Sequence, residues 1–167
     1  MTSKWREPNI IADASPLIGL AKIERLELLH QLADEVWIPS AVWREVALIS
    51  PGRPEVRALT AALVHCVREP SVDAFTIFRL QSDEGEAAAL ALASSRPGAL
   101  LLMDDQEGRR IAARYGFRYL GTLGLLLRAK RAGLVGALKT EIQALHRNGL
   151  YLDQRVIRQV MDAAGEV

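Results

Sequence analysis

Short apolar runs alternate along the chain with stretches whose apolar residues recur at helical spacing. Ile10-Ile11-Ala12 is an unbroken apolar run, followed at once by Asp13. It reads as a strand buried on both faces. Ser15-Pro16 then carries a helix-start signal, with Ser15 as N-cap and Pro16 at the first helical position. The segment LIGLAKIERLELLHQL keeps a helical period with a break near Ile23–Glu24. EVWIP predicts a short strand, and Pro39-Ser40 lead into the helix AVWREVAL, where Val42, Val46 and Ile49 mark an apolar stripe. PEVRALTAALV predicts a helix and HCVRE an edge strand; SDEGEAAALALASS is a helix and GALLLMDD a buried strand. QEGRRIAARYG is a helix ending at Gly116, FRYLG a strand, and TLGLLLRAKRAG a helix ending at Gly133. Two further helices are expected over Gly136–His146 and Asp153–Ala164.

Strands separated by helices require crossover connections, so the central sheet is mainly parallel and flanked by helices. The predicted fold class is α/β, a three-layer sandwich. Its 167 residues suit one domain over 1–167, with 136–167 a C-terminal helical extension packed on it. In such sheets the functional crevice lies at the carboxyl ends of the strands.

Composition narrows the class. Half the residues are hydrophobic and a quarter charged, which excludes disorder and collagen-like structure. No run approaches the ~18 apolar residues of a membrane span, and MTSKWREPNI has no signal-peptide core. Cys66 is the only cysteine, so no internal disulfide forms, which fits a reducing cytoplasm. The formal net charge of +1 does not announce a nucleic-acid binder. Its distribution is more informative. Acids outnumber bases through Ser95, bases outnumber acids after it, and Arg109, Arg110, Arg114, Arg118, Arg128, Lys130 and Arg131 follow one another without an intervening acid.

The strand ends carry the candidate chemistry. Asp13 ends the first strand, and Asp104-Asp105 follow Leu100–Met103. Each alone is explained as a helix N-cap or first-turn acid. Two such sites in one parallel sheet bring like charges together, and carboxylates 4 Å apart repel by about 4 kcal/mol at an effective dielectric of 20. Protons, arginine or a divalent cation must offset that. Glu45 borders the Val42–Val46 stripe, as a solvated helix charge or as a member of the cluster. Asp83-x-x-Glu86 is a capping-box-like pattern, and Gly85 between them implies close approach to that helical turn. Gathered in one crevice, Asp13, Glu45, Glu86 and Asp104 make an oxygen-only set that suits Mg²⁺ or Mn²⁺ rather than Zn²⁺. Such an ion orients a water and offsets charge on a phosphodiester oxygen. His30, His65 and His146 are scattered and show no metal spacing.

At these motifs the chain resembles the PIN-domain family, and more narrowly the PIN-like branch of predicted nucleic-acid-binding proteins related to VapC-type toxin ribonucleases. The matching stretches are IIADASPLIGLAKIERLELL, VWIPSAVWREV, SDEGEAAALALA, LLMDDQEGRRIAARYG and YLGTLGLLLRAKRAGLV. The resemblance implies a Mg²⁺- or Mn²⁺-dependent endoribonuclease, in some relatives the toxin of a toxin–antitoxin pair. It implies Asp13, Glu45, Glu86 and Asp104 as catalytic acids, and Asp13, Asp104, Glu86 and Asp105 as metal ligands, Asp105 sharing or replacing the role of Asp104. Ser15, Arg109, Arg110 and Thr122 are the candidate substrate contacts; Arg109 or Arg110 could instead neutralise the acids. At Thr122 a hydroxyl stands where many relatives bear another polar group. The implied partners are an RNA substrate, a small antitoxin protein and a second copy of the chain, with no membrane. Ala14–Leu32 and Thr122–Leu134 are candidate association faces or core. The alternative is a catalytically inactive PIN-like module that binds nucleic acid or protein.

Overall fold

The computed structural model describes residues 4–48 and 51–166. Five strands form one sheet: β1 (Glu7–Ala12), β2 (Ala33–Pro39), β3 (Val67–Arg68), β4 (Leu100–Leu102) and β5 (Arg118–Leu120). Their order is β3-β2-β1-β4-β5, and every pairing is parallel. Helices cover both faces: α1 (Ala14–Lys22), α2 (Glu27–Leu32), α3 (Ser40–Ala47), α4 (Pro54–Leu63), α5 (Val72–Arg79), α6 (Glu84–Ser95), α7 (Gln106–Arg114), α8 (Thr122–Arg131), α9 (Leu138–Arg147) and α10 (Gln154–Ala163). This is the expected α/β sandwich.

The strand period places the core. Ile10, Ala12, Leu100 and Leu102 face a cluster built with Leu17, Leu20, Leu28, Leu59, Leu125 and Leu145. Ile11, Leu101 and Met103 face the opposite cluster, with Ala89, Leu90, Phe78 and Ile111. Alternate residues thus serve opposite layers, which is why the central strands are apolar throughout. In α6 every residue from Gly85 to Ala93 is buried. Small side chains all round let it sit against α3, α5 and the sheet at once.

Several local expectations change. α1 begins at Ala14 with Asp13 in the N-cap position, so Ser15 is not the cap and Pro16 is the third helical residue. Proline costs nothing there, because the first four helical N–H groups have no partner within the helix. The predicted break is at Glu24, whose φ of 58° turns the chain between α1 and α2. HCVRE pairs only through Val67–Arg68, at the sheet edge, after a 3-10 turn over Val64–Cys66. α5 is an unpredicted helix, capped by Ser71, which accepts from the Ala74 N–H at 3.2 Å. Ile49 lies outside the described residues. α1, α2 and α8 bury their large apolar residues in the core, so Ala14–Leu32 and Thr122–Leu134 are core elements rather than free association faces. α9 and α10 pack on α8 and on each other. Among the described residues no helix is long and apolar enough to cross a membrane.

Candidate metal centre at the strand ends

The carboxyl ends of β1 and β4 lie side by side, and their ladder runs on to the Asp13 N–H, which donates to the Leu102 carbonyl at 2.9 Å. Asp13 is thereby fixed where its strand ends and α1 begins. It is 9% exposed, and burial lifts its carboxyl from 3.8 to about 6, with Asp83, Glu45 and Asp105 pushing the same way and the Ala14 amide opposing. Burial also raises Glu86 to about 7, with further repulsion from Asp83, Asp105 and Asp13. Glu45 is raised by burial and by Asp83 and Glu84. Three helix starts therefore deliver acids to one place: β1–α1 supplies Asp13, α6 supplies Glu86 with its cap Asp83, and α7 supplies its cap Asp105.

The caps serve two purposes. Asp83 Oδ1 accepts from the Glu86 N–H at 2.9 Å, which anchors the first turn of α6. Asp105 Oδ1 accepts from the Glu107 and Gly108 N–H groups at 2.7 and 3.1 Å. Each carboxylate keeps its second oxygen clear of its cap bond. Gly85 explains the close approach expected at that turn. A Cβ there would stand 3.1 Å from Glu45 Oε2 and 3.7 Å from Asp13 Oδ1. Glu45 thus reaches across from α3, which follows β2, to lie beside Asp13.

Asp104 and Asp105 divide. Asp105 acts on Asp13 and Glu86, whereas Asp104 is taken up by the start of α8. Asp104 accepts from the Thr122 N–H at 2.8 Å and from the Thr122 hydroxyl at 2.6 Å, with Arg109 Nη2 at 3.8 Å. Arg109 Nε also donates to the Met103 carbonyl at 2.8 Å. Gly121 makes room for this group, since a Cβ there would fall 2.9 Å from Asp104 Oδ1 and far inside contact with Arg109. Ser15, Asp104, Gln106, Arg109 and Thr122, with Asp153, Tyr119 and Tyr151, line a cleft of about 610 Å³, whose apolar side comes from Ile18, Leu150, Leu152, Val156 and Val160. Arg110 lies outside it, paired with Glu107 at 3.1 Å.

Much of the basic run after Asp104 is engaged within the protein. Arg118 and Arg128 both hold buried Glu7, Lys130 holds Glu166, and Arg114 contacts Gln81. By contrast, Asp13, Glu45, Asp83, Glu86 and Asp105 make no ion pair with Arg or Lys among the described residues. An oxygen-only donor set, buried at Asp13 and Glu86 and open to solvent at Glu45, Asp83 and Asp105, fits a divalent hard cation. No three of these acids bring one oxygen each to within 4.8 Å of one another. Among the described residues, the group of three donors closing to within 4.8 Å of one another is His30, His65 and Cys66. Sequence separation hid that group, and the histidines are not all scattered.

No curated protein matches the chain closely enough to be called a relative. A family model described as a PIN domain, a nuclease fold associated with divalent metals, matches residues 9–166. With its parallel five-stranded sheet and acids gathered at the strand ends, the chain belongs to the PIN-domain family.

Proposed function

We propose that this chain is a PIN-type endoribonuclease that uses Mg²⁺ or Mn²⁺ to hydrolyse RNA phosphodiesters. The observation that carries the reading is the convergence of Asp13, Glu45, Asp83, Glu86 and Asp105 on one crevice with no basic side chain paired to them. Asp13, Glu86 and Asp105 would hold the ion, with Glu45 beside them; when bound, it orients a water and offsets charge on the phosphodiester.

The chain's own groups do the rest. The cap bonds of Asp83 and Asp105 fix two carboxylates before any ligand arrives, so little ordering is left for binding. Raised affinity for protons at Asp13 (about 6) and Glu86 (about 7) means that protons compete with a cation at these acids as pH falls. Asp104 is a positioning residue in this scheme. It ties the start of α8 and Arg109 to the end of β4, and so holds Thr122 and Arg109 on the cleft beside the acids. A phosphate passing the acids would meet Arg109 and Ser15 there, while the apolar side of the cleft suits the sugar and base of a neighbouring nucleotide. Arg110 pairs with Glu107 on the exposed side of α7, outside the cleft.

The order of motifs extends the proposal to the toxin of a toxin–antitoxin pair, cytoplasmic, dimeric and restrained by a small antitoxin protein. Incubating the chain with single-stranded RNA in chelator and then in Mn²⁺ tests the activity. The reading expects cleavage only with metal, and its loss in Asp13→Asn and Glu86→Gln. Equal cleavage by Asp13→Asn would remove the proposed site. Salt-sensitive RNA binding without metal-dependent cleavage would identify the inactive module instead.

A further inference from the structure

The fold brings two of the three histidines to the only cysteine, far along the chain from each other. His30 sits in the last turn of α2, which ends where β2 begins, and His65 and Cys66 form the 3-10 turn that closes α4 and leads into β3. Both segments feed strands from their amino ends, whereas the acids of the PIN centre follow the carboxyl ends. One donor atom from each of the three residues lies within 4.8 Å of the other two. The imidazole rings are stacked, 8° from parallel with centroids 6.0 Å apart. The cysteine is buried and both histidines are exposed, so the thiol forms the floor and the imidazoles the mouth.

The backbone on either side is held in place. Arg6 Nη1 donates to the carbonyls of His30 and Gln31 at 3.1 and 2.8 Å. Arg68 Nη1 donates to those of His65 and Val67 at 3.1 and 2.9 Å. His30 Nε2 lies 3.3 Å from the Ala62 carbonyl; protonated there, the ring keeps its Nδ1 lone pair for a ligand. One ring nitrogen donating to a carbonyl while the other binds is the usual arrangement of a metal-bound histidine.

We propose that His30, His65 and Cys66 form a second metal site, for a zinc-class divalent cation, separate from the carboxylate centre. Two imidazoles and a thiolate contain no hard oxygen donor, so the set disfavours Mg²⁺ and suits Zn²⁺. Zn–N and Zn–S bonds of about 2.0 and 2.3 Å require donors roughly 3.5 Å apart. The exposed imidazoles can swing inward to supply that contraction. Binding forms two Zn–N bonds and one Zn–S bond, and the thiol proton leaves to solvent. No electron is transferred, and the fourth position is open to water. An ion there ties α2 to the end of α4 beside edge strand β3, so its effect is on the stability of that edge.

Co²⁺, which replaces Zn²⁺ and reports thiolate ligation through a charge-transfer band in the near ultraviolet, tests this on the chelator-stripped full chain. The band is expected to saturate at one ion per chain. It should vanish on adding Zn²⁺ and persist in millimolar Mg²⁺. Affinity should fall by at least about tenfold in His30→Ala and in His65→Ala, both surface substitutions that leave the metal-free melting temperature in place. Asp13→Asn should leave the band unchanged, which separates this site from the proposed nuclease centre. Absence of the band, parent-like affinity in either histidine variant, or loss of the band in Asp13→Asn would each overturn the assignment.

Discussion

Replacing Asp13 by asparagine keeps the shape of the side chain and removes a carboxylate that the fold holds almost out of water. Its pKa rises from 3.8 to about 6, chiefly through burial. A folded-state value above the unfolded one means that the group costs nothing below pH 3.8, and that the cost grows as pH rises and is complete above about 6. At 1.36 kcal/mol per unit, the full cost is about 3 kcal/mol at pH 8 and about 1.5 kcal/mol at pH 5. Asp13→Asn lifts that cost at both, so in chelator it should melt higher than the parent. At roughly 2–4 °C per kcal/mol for a domain of this size, the gain is about 6–12 °C at pH 8 and about half that at pH 5. Differential scanning calorimetry at the two values reads it directly. An Asp13→Asn midpoint at or below that of the parent at pH 8, or a gap that does not narrow at pH 5, would refute the claim that Asp13 is a buried charge without a cation.

Three further outcomes follow from named contacts. Glu7 is held below the usual carboxylate range by hydrogen bonds from Arg118 and Arg128 acting against burial. Glu7→Gln should cost about 3 kcal/mol at pH 7 by urea denaturation, a cost that disappears as pH falls through the depressed folded value. Gly85→Ala gains helix propensity but drives a methyl to 3.1 Å from Glu45 Oε2, so it should keep the fold and weaken Mn²⁺ binding by calorimetry. Thr122→Val removes the hydroxyl that donates to Asp104, and should lower stability by about 1–3 kcal/mol and loosen the cleft, raising KM for RNA more than it lowers kcat.

The sheet was legible because its strands obey one simple constraint. Ile10-Ile11-Ala12 and Leu100-Leu101-Leu102 are covered on both faces, so apolar runs ending in an acid marked both the strands and the crevice. α5 escaped notice because its stripe on the core is short, Ala74, Phe75 and Phe78, while Val72 and Ile77 point outward and blur the pattern; its Ser71 cap was visible. Asp13, Glu45 and Glu86 could be selected by their places after strands and at helix starts. The division between Asp104 and Asp105 could not, because neighbouring residues at a strand end leave in different directions and only the fold shows which one meets Thr122. The basic run misled for a related reason. Spacing along α7 and α8 gives no hint that Glu7, at the start of β1, takes up Arg118 and Arg128. The pairing of His30 with His65 and Cys66 depends on the parallel packing of β2 against β3, which no local pattern encodes.

The central claim, that the strand-end acids are a divalent-cation centre, is tested most directly by anomalous diffraction from crystals soaked in Mn²⁺. A peak within bonding distance of carboxylate oxygens of Asp13 and Asp105, with Glu86 or Glu45 beside it, is the predicted result. A fully occupied Mn²⁺ found elsewhere, with these acids left without one, would contradict the account.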